Sequence, residues 1–308
     1  MPAIITHHLF GEEATALLPE GIIDGQEELL AFLLGNQGPD PLWAHMMTLP
    51  SVARTCSDLA TAMHSEQVVK SFMVLREAVS HLPEKDKRIG RAFVLGMLGH
   101  YTLDSTAHPF VRAQQMAICD TSAELASNGD EVHAIIESDL DTWLLWEKRG
   151  QTVEDTPTTA YLVHTDSLLK VAGSLFTQVA WQVYNISLGA NAYGNAIRDY
   201  QLVYSIVDPA PSYKSDLITL MEPVVPKAGY LRALGHYPKR DDYCAAANLE
   251  HRTWEDPNTG TQYTSSFDEL FDEALKRWPT LAEVFIAGND TRLRNYTNGL
   301  NYDGKLVE

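Results

Sequence analysis

Apolar residues recur at three- and four-residue intervals along the first two thirds of the chain, the spacing of one face of an α-helix. The run GQEELLAFLLG predicts an amphipathic helix ended by Gly35. SVARTCSDLATAMHSEQVVKSFMVLREAVSHL, residues 51–82, predicts one long helix stopped by Pro83. KDKRIGRAFVLGMLGHYTLDSTAH follows, with Asp86 as N-cap. It is expected to end before Pro109, because the residue preceding a proline is disfavoured in α geometry. DEVHAIIESDLDTWLLWEKRG predicts another helix, capped by Asp130, with basic residues in its last turn and Gly150 after it. Residues 160–207 carry enough periodicity for two more.

Strand signals are scarce, and EPVVPK, framed by prolines, reads as loop. After about Asp208 turn formers dominate, in DPAPSY, EPVVPKAG, HYPKRDDY and the Asp-Pro and Asn-Thr-Gly of HRTWEDPNTGTQYTSSF. Helices are expected to resume at Ser266, where Ser-Phe-Asp-Glu fits a capping box, and again at Thr280 with Thr-Leu-Ala-Glu. The pattern therefore predicts an all-α fold, with a helical domain over residues 1–208. A loop-rich C-terminal section over residues 209–308 would pack on the same domain.

Composition narrows the class. With 45% hydrophobic and 21% charged residues, the 308-residue chain reads as soluble and globular. Its formal charge of -18 repels polyanions, so neither nucleic acid nor an anionic membrane is an expected partner. Bound cations would create a local positive site that the net charge conceals. Cys56, Cys119 and Cys244 form no CxxC, and their odd number argues for reduced thiols. MPAIITHHLFGEEA lacks the basic and apolar regions of a signal peptide. No uncharged apolar run approaches the ~18 residues of a membrane span. A cytoplasmic protein without stable membrane insertion is expected, and the sequence does not indicate its oligomeric state.

One segment stands out against this background. GMLGHYTLDSTAHPFV lies in an almost wholly apolar helix, yet carries His100, Asp104 and His108 four residues apart. Such spacing places His100 and Asp104 on one stripe, with His108 at the helix end able to curl back over it. Gly96 and Gly99 would let a neighbouring helix approach closely. Burying these polar groups without partners costs several kcal/mol, roughly. Metal coordination would satisfy them, and so would a hydrogen-bonded His-Asp pair at a helix end. His133 and Glu137 form a second i, i+4 pair, at the edge of an apolar stripe of Ile135, Ile136, Leu140, Trp143 and Leu144. Two such pairs on successive helices favour the metal. Three earlier places add candidates: His7 and His8 before a helix, Asp40 in the turn-rich GNQGPDPLWAH, and His64 in mid-helix. Taken singly, each is more often structural: a capping group, a turn residue or a satisfied core histidine.

The ordered set His7, Asp40, His64, His100-x-x-x-Asp104, His108, His133-x-x-x-Glu137 resembles the zinc-dependent phospholipase C family. The best match is LGMLGHYTLDSTAHPF with VHAIIESDLD, and the resemblance covers roughly residues 1–200. It implies a multi-helix phospholipase C/nuclease-like bundle, the fold also of secreted fungal single-strand nucleases, and a zinc cluster in a cleft. By that resemblance Asp104 would bridge two metals. His100, Asp40 and His64 would complete one site, His108, His133 and Glu137 another, and His7 would serve the third. The chain departs from the secreted members in three ways. They begin with a tryptophan that ligates the third zinc, whereas this chain begins Met1-Pro2; the gap from Asp104 to His108 is shorter, and that from Asp40 to His64 longer. Two or three Zn2+ ions are therefore expected, the third without that ligand.

The implied chemistry is phosphodiester hydrolysis by a zinc-activated water, with Asp40 and Asp104 as catalytic residues and Asp40 as general base. The substrate would be a phospholipid or a small soluble phosphoester. No basic stripe with interleaved aromatics supports a nuclease. NLEHRTWED, with His251, Arg252 and Trp254, is either a substrate-binding element or a packed loop around a buried tryptophan. A non-catalytic metal-binding helical protein, and a helical interaction protein with hydrogen-bonded His-Asp pairs, remain the alternative functions.

Overall fold

Two glycines bring the central helices together. A Cβ on Gly35 would lie 2.2 Å from the Phe93 carbonyl oxygen, and one on Gly96 2.1 Å from that of Phe32. Only glycine allows this backbone approach. The helices that cross here are α2 (Gln26–Gly35) and α5 (Glu84–Cys119). From Ala92 to Val111 every residue of α5 is buried, as befits a helix apolar on all sides with polar groups at chosen positions.

The computed structural model describes residues 3–210 and 228–307. Twelve α-helices lie among the described residues. Besides α2 and α5 they are α1 (Ile4–Thr15), α3 (Pro50–Ser65), α4 (Val68–Ser80), α6 (Ala123–Ser127), α7 (Gly129–Arg149), α8 (Asp166–Tyr184) and α9 (Ala192–Val207). After the undescribed stretch come α10 (Ala228–Ala233), α11 (Phe267–Ile286) and α12 (Asp290–Thr297). Helices α1, α2, α4, α7, α8 and α11 all pack on α5. A 3-10 turn, Asp40–Trp43, follows α2. The only sheet among the described residues is a two-stranded antiparallel pair, Trp254–Glu255 with Gln262–Tyr263. The all-α expectation is thus met, with helices at GQEELLAFLLG and two within residues 160–207.

Several boundaries differ from expectation. The helix expected over residues 51–82 is two, α3 and α4, broken where Gln67 takes a left-handed conformation (φ 56°). Tyr184 Oη donates to the Glu66 carbonyl there. Both pieces are amphipathic, so the periodicity runs across the break without a mark. His64 consequently lies in the last turn of α3 and not in mid-helix.

Helix α5 does not end before Pro109 but continues ten residues past it, to Cys119. His108 is therefore inside the helix. Proline removes the N–H that would bond the Ser105 carbonyl. Gly304, at φ +67°, packs against this spot: a Cβ there would be 3.0 Å from Ser105 O and 2.7 Å from Pro109 Cγ. Pro83, not Asp86, caps α5, and Asn128, not Asp130, precedes α7; both aspartates fall in first turns, where their charge suits the helix N-terminus. Gly150 closes α7 at positive φ, after Lys148 and Arg149, as expected.

The Ser266 capping box with Glu269 is present, but Thr280 starts no helix, because α11 runs unbroken through Pro279. Ile135 is 51% exposed, so it does not share the stripe with Ile136.

In the C-terminal section α11 packs on α5 and α1, and buried Trp278 donates to the Ala14 carbonyl at 2.9 Å. The expected loop EPVVPK and the second half of DPAPSY fall within residues 211–227, outside the described residues. Cys56, Cys119 and Cys244 are free thiols.

Candidate metal centre

Five elements bring eight chemistry-bearing side chains to one place. Helix α5 presents His100, Asp104 and His108 at four-residue intervals, so they follow one stripe along its buried length. Helix α1 adds His7, the 3-10 turn adds Asp40, the last turn of α3 adds His64, and α7 adds His133 and Glu137. All eight are buried or nearly so.

Asp104 is the hub. Its Oδ1 lies 3.1 Å from His7 Nε2 and 3.5 Å from His108 Nε2. Its Oδ2 lies 3.0 Å from His100 Nε2 and 4.0 Å from His64 Nε2. Asp40 Oδ1 is 3.0 Å from His64 Nε2 and 3.8 Å from His100 Nε2. Glu137 Oε1 is 3.2 Å from His133 Nε2 and 3.6 Å from His108 Nε2. The donor atoms form three groups, each within 4.8 Å: His7, His100 and Asp104; Asp40, His64 and His100; His108, His133 and Glu137.

The opposite ring nitrogens set the protonation. His64 Nδ1 is 2.8 Å from the Ala60 carbonyl, and His100 Nδ1 is 3.0 Å from that of Asn36. His133 Nδ1 is 3.0 Å from Gln115 Oε1. A carbonyl oxygen only accepts, so each Nδ1 carries the proton and donates it. In the neutral ring Nε2 is then a lone pair, and it faces a carboxylate oxygen, another acceptor. The Nε2 atoms of His64 and His100 make no hydrogen bond among the described residues, despite these short distances. Either a second proton or a cation must stand between such pairs. Imidazoles pinned at one nitrogen and converging at the other are how proteins prepare metal ligands.

The charges agree. Burial raises the carboxyl pKa of Asp104, but His100, His108 and His7 outweigh it and hold the group well below the usual range. Glu137 is likewise raised by burial and lowered further by His133 and His108. Asp40 also ends below the ordinary range, burial being overcome with the help of His100 and His64. Burial lowers the pKa of His7 and of His133, which favours their neutral, ligating form. His108 goes the other way, pushed up to about 10 because Asp104, Asp303 and Glu137 overcome its burial. A bound cation would displace that proton.

Histidine nitrogen and carboxylate oxygen are the donor set zinc takes, and three protein donors leave a position open for water or substrate. The residues fit the metal.

The zinc dependent phospholipase C family model matches residues 6–167, more than half of the chain. The chain belongs to that family. The matched span includes all eight side chains of the cluster, from His7 to Glu137, and the three His and carboxylate groups suit a zinc-dependent family. No curated protein and no solved structure matches the chain. Among the described residues no helix is long and apolar enough to cross a membrane.

His8 stands outside the cluster, 3.6 Å from Glu12 and beside Tyr161. In the NLEHRTWED stretch the half-buried Trp254, on the first strand, lies against Phe110 and Tyr263 and donates to the Ser265 carbonyl, while His251 and Arg252 are exposed and His251 faces Glu269. Met1 and Pro2, on which the expected loss of a third-site ligand rests, lie outside the described residues.

Sequence reading missed the residues around the ligand groups. Gln115 follows His108 by two helical turns, a spacing that could have revealed it. Tyr302 and Asp303 come from the far end of the chain. The Tyr302 ring is 4.7 Å from that of His64, and its N–H donates to the His64 carbonyl. Asp303 Oδ1 is 3.6 Å from His108 Nδ1 and is held by Arg112. Trp43 covers His64 from the other direction, with ring centroids 4.5 Å apart.

Proposed function

We propose that the chain is a phospholipase C-like phosphodiester hydrolase whose eight clustered residues hold two or three zinc ions. One observation carries this reading above the others: Asp104 Oδ1 faces His7 and His108 while Oδ2 faces His100, so one carboxylate would serve more than one ion if zinc were bound. Divalent ions, if bound there, would polarise a phosphoryl oxygen and lower the pKa of a water.

The chain's own residues supply the rest. Asp104 holds the two halves of the site in register. Asp40, on the turn after α2 and beside His64 and His100, is the candidate general base. Tyr302 and Trp43 wall the His64 side and keep it dry.

A phospholipid is favoured over a purely soluble phosphoester by the loop between Trp43 and α3. Met46, Met47 and Leu49 are exposed there, Met47 at 80%, and Val52 is exposed in the first turn of α3. Asp199 pins the loop by accepting from the N–H groups of Met46 and Met47 and from Thr48 Oγ1. An anchored apolar rim next to the site suits the acyl part of a lipid.

The test is hydrolysis of a soluble nitrophenyl phosphodiester and of dispersed phosphatidylcholine by the zinc-loaded protein and its Asp104→Asn variant. The wild type is expected to cleave both. The folded variant should lose about 100-fold or more, beyond the ~10–100-fold typical for partners one step removed from a metal. Undiminished cleavage by Asp104→Asn would overturn the assignment. Bound zinc with no cleavage of either substrate would leave a non-catalytic metal-binding protein.

A further inference from the structure

Asp141, His236 and Asp208 form a second buried charged chain, outside the metal cluster. His236 and Asp141 are fully buried. His236 Nε2 is 3.1 Å from Asp141 Oδ2, and its Nδ1 is 2.8 Å from Asp208 Oδ2. Asp208 also accepts the His236 backbone N–H at 2.7 Å and the Thr158 hydroxyl. With a carboxylate at each ring nitrogen, His236 is a doubly protonated cation between two anions.

The far end of this chain is the start of α1. Asp141 Oδ2 accepts from Ile5 N at 2.9 Å, and Oδ1 accepts from Thr6 N at 2.8 Å. Helix α1 has no cap from its own N-cap side chain, so Asp141 takes over two of its first-turn N–H groups and opposes its dipole. The next residue is His7. Its Nδ1 has no hydrogen-bond partner among the described residues, unlike those of His64, His100 and His133. Its ring only stacks on His100, with centroids 4.0 Å apart. No second hydrogen bond aims this imidazole, so the placement of the α1 backbone does. Besides Asp141, Gln37 Nε2 ties the same turn by donating to the Ile4 carbonyl.

We infer that His236, acting through Asp141, is a positioning residue for His7 and sets zinc affinity at the group His7 forms with His100 and Asp104. A buried Asp141 without its cation would be an uncompensated charge and would move. That movement loosens the first turn of α1. The inference rests on the metal reading above and concerns one ion of the cluster only.

The experiment compares zinc per chain and zinc affinity in wild type, His236→Gln, His7→Ala, His133→Ala and the two double variants with His236→Gln. Circular dichroism confirms the fold of each. His236→Gln is expected to weaken one ion by on the order of 10–100-fold, the size of effects one step removed from a metal. Added to His7→Ala it should cost nothing further, because the same ion is already lost; added to His133→Ala the losses should sum. A merely structural role lowers the melting temperature and leaves zinc binding unchanged, and that result in folded His236→Gln overturns the inference. Should His236→Gln not fold, Asp208→Asn removes the outer anion and is read the same way. A wild type that binds no zinc defeats the underlying reading; a zinc-binding wild type matched by His236→Gln defeats this inference alone.

Discussion

His64 and His100 each donate Nδ1–H to a backbone carbonyl and turn Nε2 toward a carboxylate. His236 has the opposite arrangement, a carboxylate at each nitrogen. The first arrangement calls for a cation, and the second calls for a proton. Burial alone would lower the His236 pKa, but Asp208 and Asp141 outweigh it and push it up to about 10. Tyr204, stacked on its ring, and Thr158 are its other polar neighbours. An unfolded histidine titrates near ~6.5. The native state thus holds this proton more tightly, and the stability it contributes is fully present below about 6.5 and is lost as pH rises through about 10. The melting temperature is expected to fall from pH 7 to 10, less steeply in His236→Gln, as followed by circular dichroism. Equal slopes would contradict this charge state. At this scale much was legible. Five of the eight clustered residues, His100, Asp104, His108, His133 and Glu137, could be named because four-residue spacings on helices fix a shared face; His7, Asp40 and His64 joined them through the family resemblance. Choosing His7 over His8 needed more than spacing. Gln115 could have been found from its two-turn spacing after His108, but Asp303 and the Asn36 carbonyl were not legible, since a contact to a ring nitrogen from a distant segment leaves no periodic trace.

At the scale of elements, the crossing of α2 and α5 sets where His100 and Asp104 stand relative to Asp40. Gly96→Ala would drive a methyl into the Phe32 carbonyl, 2.1 Å away, and backbone cannot yield as a side chain can. The expected cost is about 1–3 kcal/mol or more, read as a lower thermal midpoint. Gly189→Ala, with nothing within 4 Å, is the control and should leave the midpoint nearly unchanged. Comparable midpoints for the two variants would contradict the close crossing. The glycines predicted this approach, but two breaks were hidden. The residues on either side of Gln67 keep one periodicity, so α3 and α4 read as one helix. Pro109 read as a stop and Thr280 as a new helix start, yet tertiary packing carries α5 through Pro109 and α11 through Pro279.

For the molecule as a whole, residues from opposite ends of the chain share one centre: His7 opens the cluster, and Tyr302 and Asp303 close it. The all-helical class followed from periodicity, and the family from the ordered ligand set; the return of the C-terminal segment to the site did not, because nothing local encodes a contact across the whole chain. A chain of formal charge -18 places Asp40, Asp104 and Glu137 in its interior, and only the neighbouring histidines and a bound cation can balance them. Elemental analysis of the purified protein beside Asp104→Asn tests that claim most directly. The account predicts at least two zinc ions per wild-type chain and fewer in the folded variant. A wild type that holds no metal even after reconstitution with zinc would contradict it.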